Sequence, residues 1–230
     1  MKIKNIIFDL GGVIIDIDYS RTSEAFRKLG SLNFDAVYTQ SKQDNLFDDY
    51  DVGKISSDAF RNTLKNKLDI VTTDQEFDTA WNAMLLDLPL ERLIFIKELR
   101  KNYNVLLYSN TNDIHLKEVF NICQRQNGFS SFEGYFDQEY YSNIFGKRKP
   151  NPDSFKAILE LNKMDPNETL FLDDSLQHVL GARQAGLHAV HLSKGQSLFD
   201  TLKFIKQIES TLVEEEKSTM RFNFGGCVIL

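Results

Sequence analysis

The sequence predicts an α/β fold: a doubly wound, mostly parallel sheet with a helical domain inserted after its first strand. Three observations point there. Short apolar runs rich in β-branched residues recur along the chain and stop at polar residues. Helical patterns separate most of these runs, which implies right-handed crossovers between parallel strands. One long interval, from about Asp18 to Leu88, holds no convincing strand.

Taken in order, Ile3 to Phe8 ends in Asp9-Leu10-Gly11-Gly12 and reads as a buried strand stopped by a glycine turn. Val105-Leu106-Leu107-Tyr108 stops at Ser109, Tyr135-Phe136 begins a weaker run, Leu170-Phe171-Leu172 stops at Asp173-Asp174, and Ala189-Val190-His191-Leu192 stops at Ser193. Helices are expected over Leu90 to Lys101, Ile114 to Gln124, Pro152 to Leu161 and Val179 to Ala185. Inside the strandless interval, Arg21 to Leu29, Phe34 to Phe47, Asp58 to Leu68 and Asp74 to Leu86 read as amphipathic helices, with Ser56 or Ser57 capping the third and Thr73 the fourth. Phe47, Phe60, Phe77 and Trp81 have helical spacing and are expected to form the core of that domain. The expected organisation is a core domain of residues 1–17 and 89–215, an inserted helical domain of residues 18–88, and a flexible tail of residues 216–230 beyond a helix ending at Glu214 to Lys217.

At 230 residues the chain can bury one α/β core plus a small insert. A net charge of −6 with no basic stripe argues against nucleic acid as a partner. No stretch approaches the ~18 apolar residues of a membrane span. The N-terminal apolar run is broken by Asp9 too early for a secretory leader. Cys123 and Cys227 show neither disulfide nor metal spacing, which suits a reducing compartment. The expectation is a soluble cytoplasmic protein.

In a doubly wound sheet, ligands bind beyond the carboxyl ends of the strands. Three strands deliver polar residues there: Asp9, Ser109 and the Asp173-Asp174 pair. Adjacent carboxylates after an apolar strand are costly unless something positive neutralises them. With Asp9 nearby, the candidate is a hard divalent cation, and an all-oxygen donor set favours Mg²⁺. A merely solvated acidic turn is the alternative, and three strand ends meeting at one sheet edge weigh against it.

Four motifs in this order complete the pattern: Asp9-Leu10-Gly11-Gly12-Val13, Ser109-Asn110-Thr111-Asn112, Arg148-Lys149-Pro150-Asn151-Pro152, and Phe171-Leu172-Asp173-Asp174 followed by Gly181-Ala182-Arg183-Gln184-Ala185-Gly186. From Ile3 to about Leu192 the chain resembles the haloacid dehalogenase superfamily, in its phosphatase branch with a helical cap inserted after the first strand. The resemblance implies a Rossmann-like core and a magnesium-dependent phosphomonoester hydrolase for a small phosphorylated metabolite such as a sugar phosphate, sugar 1-phosphates included. It also implies the roles. Asp9 would be the nucleophile that forms an aspartyl-phosphate. Asp9, the backbone carbonyl of Gly11 and Asp174 would hold Mg²⁺, with Asp173 adjacent or bound through water. Ser109 and the Asn110 N–H would hold phosphate oxygens, and Lys149 would supply positive charge.

One position departs from the family pattern. Two residues after the nucleophile the family usually carries a second aspartate, which protonates the leaving group; here that residue is Gly11. General acid–base help is typically worth ~10²–10⁴-fold. Three readings follow: leaving groups that need little protonation, a replacement acid, or a weak or inactive relative. The replacement candidates are His115, His178, Asp16 and Asp18, each with a structural alternative as a helix or turn residue; His188 and His191 carry no catalytic expectation. In the loop Tyr50 to Ser56, Gly53 permits a tight turn. Asp51 and Lys54 could there reach sugar hydroxyls or a second charge, or simply be solvated. Hydrolytic dehalogenation is a competing function, since halide needs no proton, but it leaves Asp173-Asp174 unexplained. A catalytically weak binding protein is the other. Finally, Cys227-Val228-Ile229-Leu230 matches a C-a-a-X signal, with Leu230 favouring geranylgeranyl on Cys227 and hence membrane association in a eukaryotic cell; an accidental apolar ending is the alternative.

Overall fold

The computed structural model describes residues 2–38, 45–193 and 195–211. The expected tail, the helix end at Glu214 to Lys217 and Cys227 lie outside these residues.

Five strands form one parallel sheet: β1 (Asn5–Phe8), β2 (Asn104–Ser109), β3 (Gln138–Tyr141), β4 (Thr169–Asp173) and β5 (His188–His191), in the order β3-β2-β1-β4-β5. Successive side chains of a strand point to opposite faces, and here both faces are covered. Ile6, Phe8, Val105, Leu107, Leu170 and Leu172 enter one apolar core. Ile7, Leu106, Tyr108 and Phe171 enter the other. Burial on both sides explains why these strands read as continuous apolar runs rather than alternating ones. The register pairs Phe8 with Leu107 on one side and with Leu172 on the other, so Asp9 and Asp173 leave the sheet side by side. The Asp9 N–H donates to the Leu172 carbonyl at 3.0 Å.

Between β1 and the next strand the chain builds a helical unit of α1 (Tyr19–Lys28), α2 (Phe34–Val37), α3 (Asn45–Asp51), α4 (Ser57–Leu68) and α5 (Asp74–Trp81). Its core is aromatic: Phe26, Phe34, Phe47, Tyr50, Phe60, Phe77 and Trp81 are all buried together. Tyr50 stacks on Phe60 at 4.1 Å and Phe47 on Trp81 at 5.9 Å. Thr73 and Glu76 close a reciprocal capping box at the start of α5, and Ser56 caps α4. The two connections to this unit run side by side. Asp16 N–H donates to the Asp87 carbonyl, Asp18 N–H to Met84, and Leu86 N–H to Asp16, at 2.9 Å each.

The remaining helices are α6 (Leu90–Leu99), α7 (Asp113–Asn127), α8 (Ser142–Phe145), α9 (Pro152–Asn162) and α10 (Leu176–Gln184), followed by α11 over residues 201–211. Three expectations need correction. The strand expected at Tyr135-Phe136 lies at Gln138–Tyr141; Phe136 is instead a buried core residue just before it. The single helix expected over Phe34 to Phe47 is two, α2 and α3, with Tyr38 already in extended backbone at the end of α2. The helix from Asp74 ends at Trp81 and passes through a short tighter turn, Asn82–Met84. Among the described residues, no helix is long and apolar enough to cross a membrane.

Candidate active site

The strand ends, the loop before α9 and α10 bring Lys149, Asp9, Asp173 and His178 into contact. Lys149 is fully buried, and its Nζ donates to Asp9 Oδ1 at 2.6 Å and to Asp173 Oδ2 at 2.7 Å. Its ammonium also lies 5.4 Å from the ring centres of Tyr108 and Phe171. Burial alone would lower its pKa, but the charges of Asp173 and Asp9 hold it above the ordinary lysine value. Asp173 is saturated: Ser175 N–H donates to Oδ1 at 2.7 Å, and His178 Nδ1 lies 3.0 and 3.1 Å from its two oxygens. Burial opposes ionisation of Asp173, and Lys149 and His178 overcome it, holding the carboxyl below its usual range. Asp9 is shifted the other way, because burial and the Asp173 charge outweigh Lys149.

Asp174 differs from its neighbours. Among the described residues it forms no ion pair, and burial together with Asp9 and Asp173 pushes its carboxyl up to about 7. Three carboxylates thus share one lysine. Asp9, Asp173 and His178 offer ligand atoms within 4.8 Å of one another, but Lys149 already occupies the space between the two aspartates. The carboxylate still lacking a cation is Asp174. Three carboxylates against one ammonium leave two negative charges in excess, and carboxylate and carbonyl oxygens suit a hard divalent ion, so the residues present fit Mg²⁺.

Ser109 is buried at the end of β2. The Asn110 side chain is committed elsewhere: its Oδ1 accepts from Lys149 N–H and its Nδ2 donates to the Lys149 carbonyl, both at 2.9 Å. This double clamp fixes the lysine backbone against β2, a role the sequence reading missed. The replacement acids fare differently. Asp16 pairs with Arg92 at 2.8 Å, and Asp18 caps α1. His178 faces Asp173. His115 has both ring nitrogens engaged, Nε2 with the Trp81 carbonyl at 3.1 Å and Nδ1 with Asn112 Nδ2 at 3.3 Å. Since a carbonyl only accepts and that amide only donates, the ring is the neutral Nε2–H tautomer. Burial depresses its pKa to about 4, so it carries no proton to give near neutrality. His191 Nε2 donates to the Asp174 carbonyl at 2.9 Å.

Beyond the strand ends lies a cavity of about 110 Å³, below the ~300–1,000 Å³ of pockets for drug-sized ligands. The helical unit supplies one wall, with Phe47, Asp51 and Trp81; the sheet side supplies Asp9, Asn112 and Arg148. Of the two readings open for Lys54, the solvated one fits: it is exposed and paired with Asp49 at 3.0 Å. Arg148 and Asn112 were not singled out in the sequence, although both sit in motifs that were.

Comparison with known proteins agrees with this geometry. Residues 3–186 match a family described as haloacid dehalogenase-like hydrolase. A D-ribitol-5-phosphate phosphatase of Bacteroides thetaiotaomicron is 34% identical over 84% of this chain and 93% of its own length. A sesquiterpene phosphatase of Aspergillus oryzae is 24% identical over 83% of this chain and 90% of its own. Among solved structures, an enzyme of the same family from Bacteroides thetaiotaomicron, an aspartate-to-alanine variant in complex with magnesium and inorganic phosphate, superposes with a TM-score of 0.80. It is 35% identical and covers 85% of this chain and 96% of its own. A hydrolase of Porphyromonas gingivalis gives a TM-score of 0.79 at 29% identity, covering 89% and 98%.

Proposed function

The chain belongs to the haloacid dehalogenase-like hydrolases, and from that premise we propose that it is a magnesium-dependent phosphomonoester hydrolase for a small phosphorylated polyol or sugar, with Asp9 as nucleophile. The observation that carries this reading is the division of labour among the carboxylates. Lys149 bridges Asp9 and Asp173, while Asp174 is left without a cation. The relative that acts on D-ribitol 5-phosphate and the magnesium and phosphate held by its structural neighbours support the substrate class and the cofactor.

Asp9, the Gly11 carbonyl and Asp174 would hold Mg²⁺, which when bound supplies Lewis-acid shielding of the phosphoryl oxygens. Ser109 and the Asn110 N–H orient those oxygens. Asp9 attacks phosphorus, the bond to the alcohol oxygen breaks, and the phosphoryl group rests on Asp9 until water cleaves it as phosphate. Lys149 stabilises Asp9 before attack and the transferring group during it, and Asp173 with His178 keeps the ammonium in place. Gly11 offers no proton to the departing oxygen, so solvent supplies it and the rate depends on how acidic the alcohol is. The helices α1–α5 act as the cap that covers the substrate.

The test is phosphate release from polyol, sugar and aryl phosphates with and without Mg²⁺. Activity is expected only with the metal, to rise with leaving-group acidity, and to vanish in Asp9→Asn while the fold is retained. Turnover by Asp9→Asn would end the nucleophile assignment. Full activity in excess chelator would end the metal assignment and favour a metal-free hydrolase such as a dehalogenase.

A further inference from the structure

The far end of the cavity holds a donor and an acceptor that have no full partners. Arg148, in the loop that also carries Lys149, gives one guanidinium nitrogen to Asp48 of α3. Its second terminal nitrogen lies 3.6 Å from Asp51 Oδ2, too far for a hydrogen bond. Its Nε is buried and has no hydrogen-bond partner among the described residues. Asp51 is the complementary group. Its side chain is 14% exposed, its Oδ1 accepts from Asn112 Nδ2 at 3.3 Å, and its Oδ2 receives no hydrogen bond among the described residues. A buried donor left without a partner, as Arg148 Nε is, is costly, and Arg148 and Asp51 both line the cavity that contains Asp9.

A relay fixes the acceptor. The Asn112 amide has two hydrogens; one goes to Asp51 and the other to His115 Nδ1 at 3.3 Å. Asn112 Oδ1 accepts from the His115 N–H at 3.1 Å, so the amide cannot be turned over without losing every bond. His115 is held in turn by the Trp81 carbonyl and by stacking on the Trp81 ring at 4.9 Å and 10°. The relay therefore crosses from α7 to α5 and back to α3.

We propose, resting on the phosphatase reading above, that Asp51 and Arg148 form a subsite for a hydroxyl of the leaving group, held in register by Asn112 and His115, so that the substrate is a polyhydroxylated phosphate ester. An arginine only donates and a carboxylate only accepts. A hydroxyl does both, and a pair of neighbouring hydroxyls satisfies both at once. A second anionic group is disfavoured, because the one guanidinium is already paired with Asp48 and lies 3.6 Å from Asp51. A hydrocarbon chain would offer no hydrogen-bonding group to Arg148 or Asp51. Ile17, Phe47, Met84 and Leu85 line the same cavity and offer contact to the C–H edge of the same carbon chain.

The experiment compares kcat/KM of the full-length protein for an alditol 5-phosphate, its monodeoxy analogues, phenyl phosphate and farnesyl phosphate. Removing the hydroxyl that is read is expected to lower kcat/KM by roughly ten- to a hundredfold, as for other buried hydrogen-bonding sites. Asp51→Ala and Arg148→Lys should each lower the ratio of alditol phosphate to phenyl phosphate at least tenfold. His115→Phe keeps the ring on Trp81 but drops both hydrogen bonds, and should lower the ratio by less. Deoxy analogues as good as the parent would overturn the proposal, as would a ratio unmoved by Asp51→Ala or a preference for farnesyl phosphate. An equal loss on all esters would reduce Asp51 and Arg148 to closing contacts and also overturn it. The deoxy series uses the unmodified protein and stands even if a variant fails to fold. No turnover of any ester, phenyl phosphate included, would overturn the phosphatase reading and this proposal with it.

Discussion

Asp174 lies beside two other carboxylates and, among the described residues, forms no ion pair of its own. Its carboxyl is raised to about 7, chiefly by burial and then by Asp9 and Asp173. The sign of the pH effect follows. The metal-free folded state holds a proton on Asp174 that the unfolded chain, near pH 4, has already released, so stability falls as pH rises from about 4 through about 7. A cation in the site offsets this loss only where the carboxylate is ionised. Magnesium at a hundredfold excess over its dissociation constant stabilises by about 2.7 kcal/mol, or about 5–10 °C in a chain of this size. That shift is expected at pH 8 and should shrink at pH 5.5, with Asp174→Asn nearly abolishing it; thermal unfolding with and without Mg²⁺ at the two pH values measures it. An equal shift at both would refute the assignment. The positions of Asp9, Ser109, Lys149, Asp173 and Asp174 were legible in the sequence because each is local to a strand end or a proline-flanked loop. The pairing of Arg148 with Asp48 and Asp51 was not. It joins residues a hundred positions apart, and no local pattern encodes it.

Elements meet at fixed points, and α10 meets the lysine loop at Gly181. A Cβ there would stand 1.9 Å from the Pro150 carbonyl oxygen. Alanine is the better helix former by about 1 kcal/mol, yet backbone cannot yield as a side chain can. Overpacking costs typically ~1–3 kcal/mol. Gly181→Ala is therefore expected to lower stability by up to about 2 kcal/mol net and to displace Lys149, cutting kcat more than KM. Denaturant unfolding and steady-state kinetics read the two effects, and a more stable, fully active variant would show that the loop can move. Legibility at this scale followed burial. β1, β2 and β4 are buried on both faces and gave continuous apolar runs. β3 is an edge strand of sequence Gln-Glu-Tyr-Tyr, and its apolar neighbour Phe136 was mistaken for its start. The break between α2 and α3 was hidden because the helical spacing of aromatics runs on through Tyr38 and Phe47, which pack on each other at 4.9 Å.

At the scale of the whole molecule, the helices α1–α5 and the ends of the parallel strands both line the cavity that contains Asp9. The turn after α3 presses on α8, where Gly53 has φ of +70° and a Cβ would lie 2.1 Å from the Asn143 carbonyl oxygen. Gly53→Ala should open this seam: KM is expected to rise several-fold, and X-ray scattering should show a larger radius of gyration without loss of secondary structure. Unchanged scattering and KM would mean the seam is not what holds the bodies together. The two connections between the bodies, residues 16–18 and 84–87, are antiparallel neighbours joined by three backbone hydrogen bonds. In the language of heredity, such an insertion begins and ends at one address. A recombination event could exchange everything between those points for a foreign segment whose ends also lie close together, and the sheet would be threaded as before. The chemistry at the strand ends and the wall that α1–α5 place above it can therefore be inherited separately.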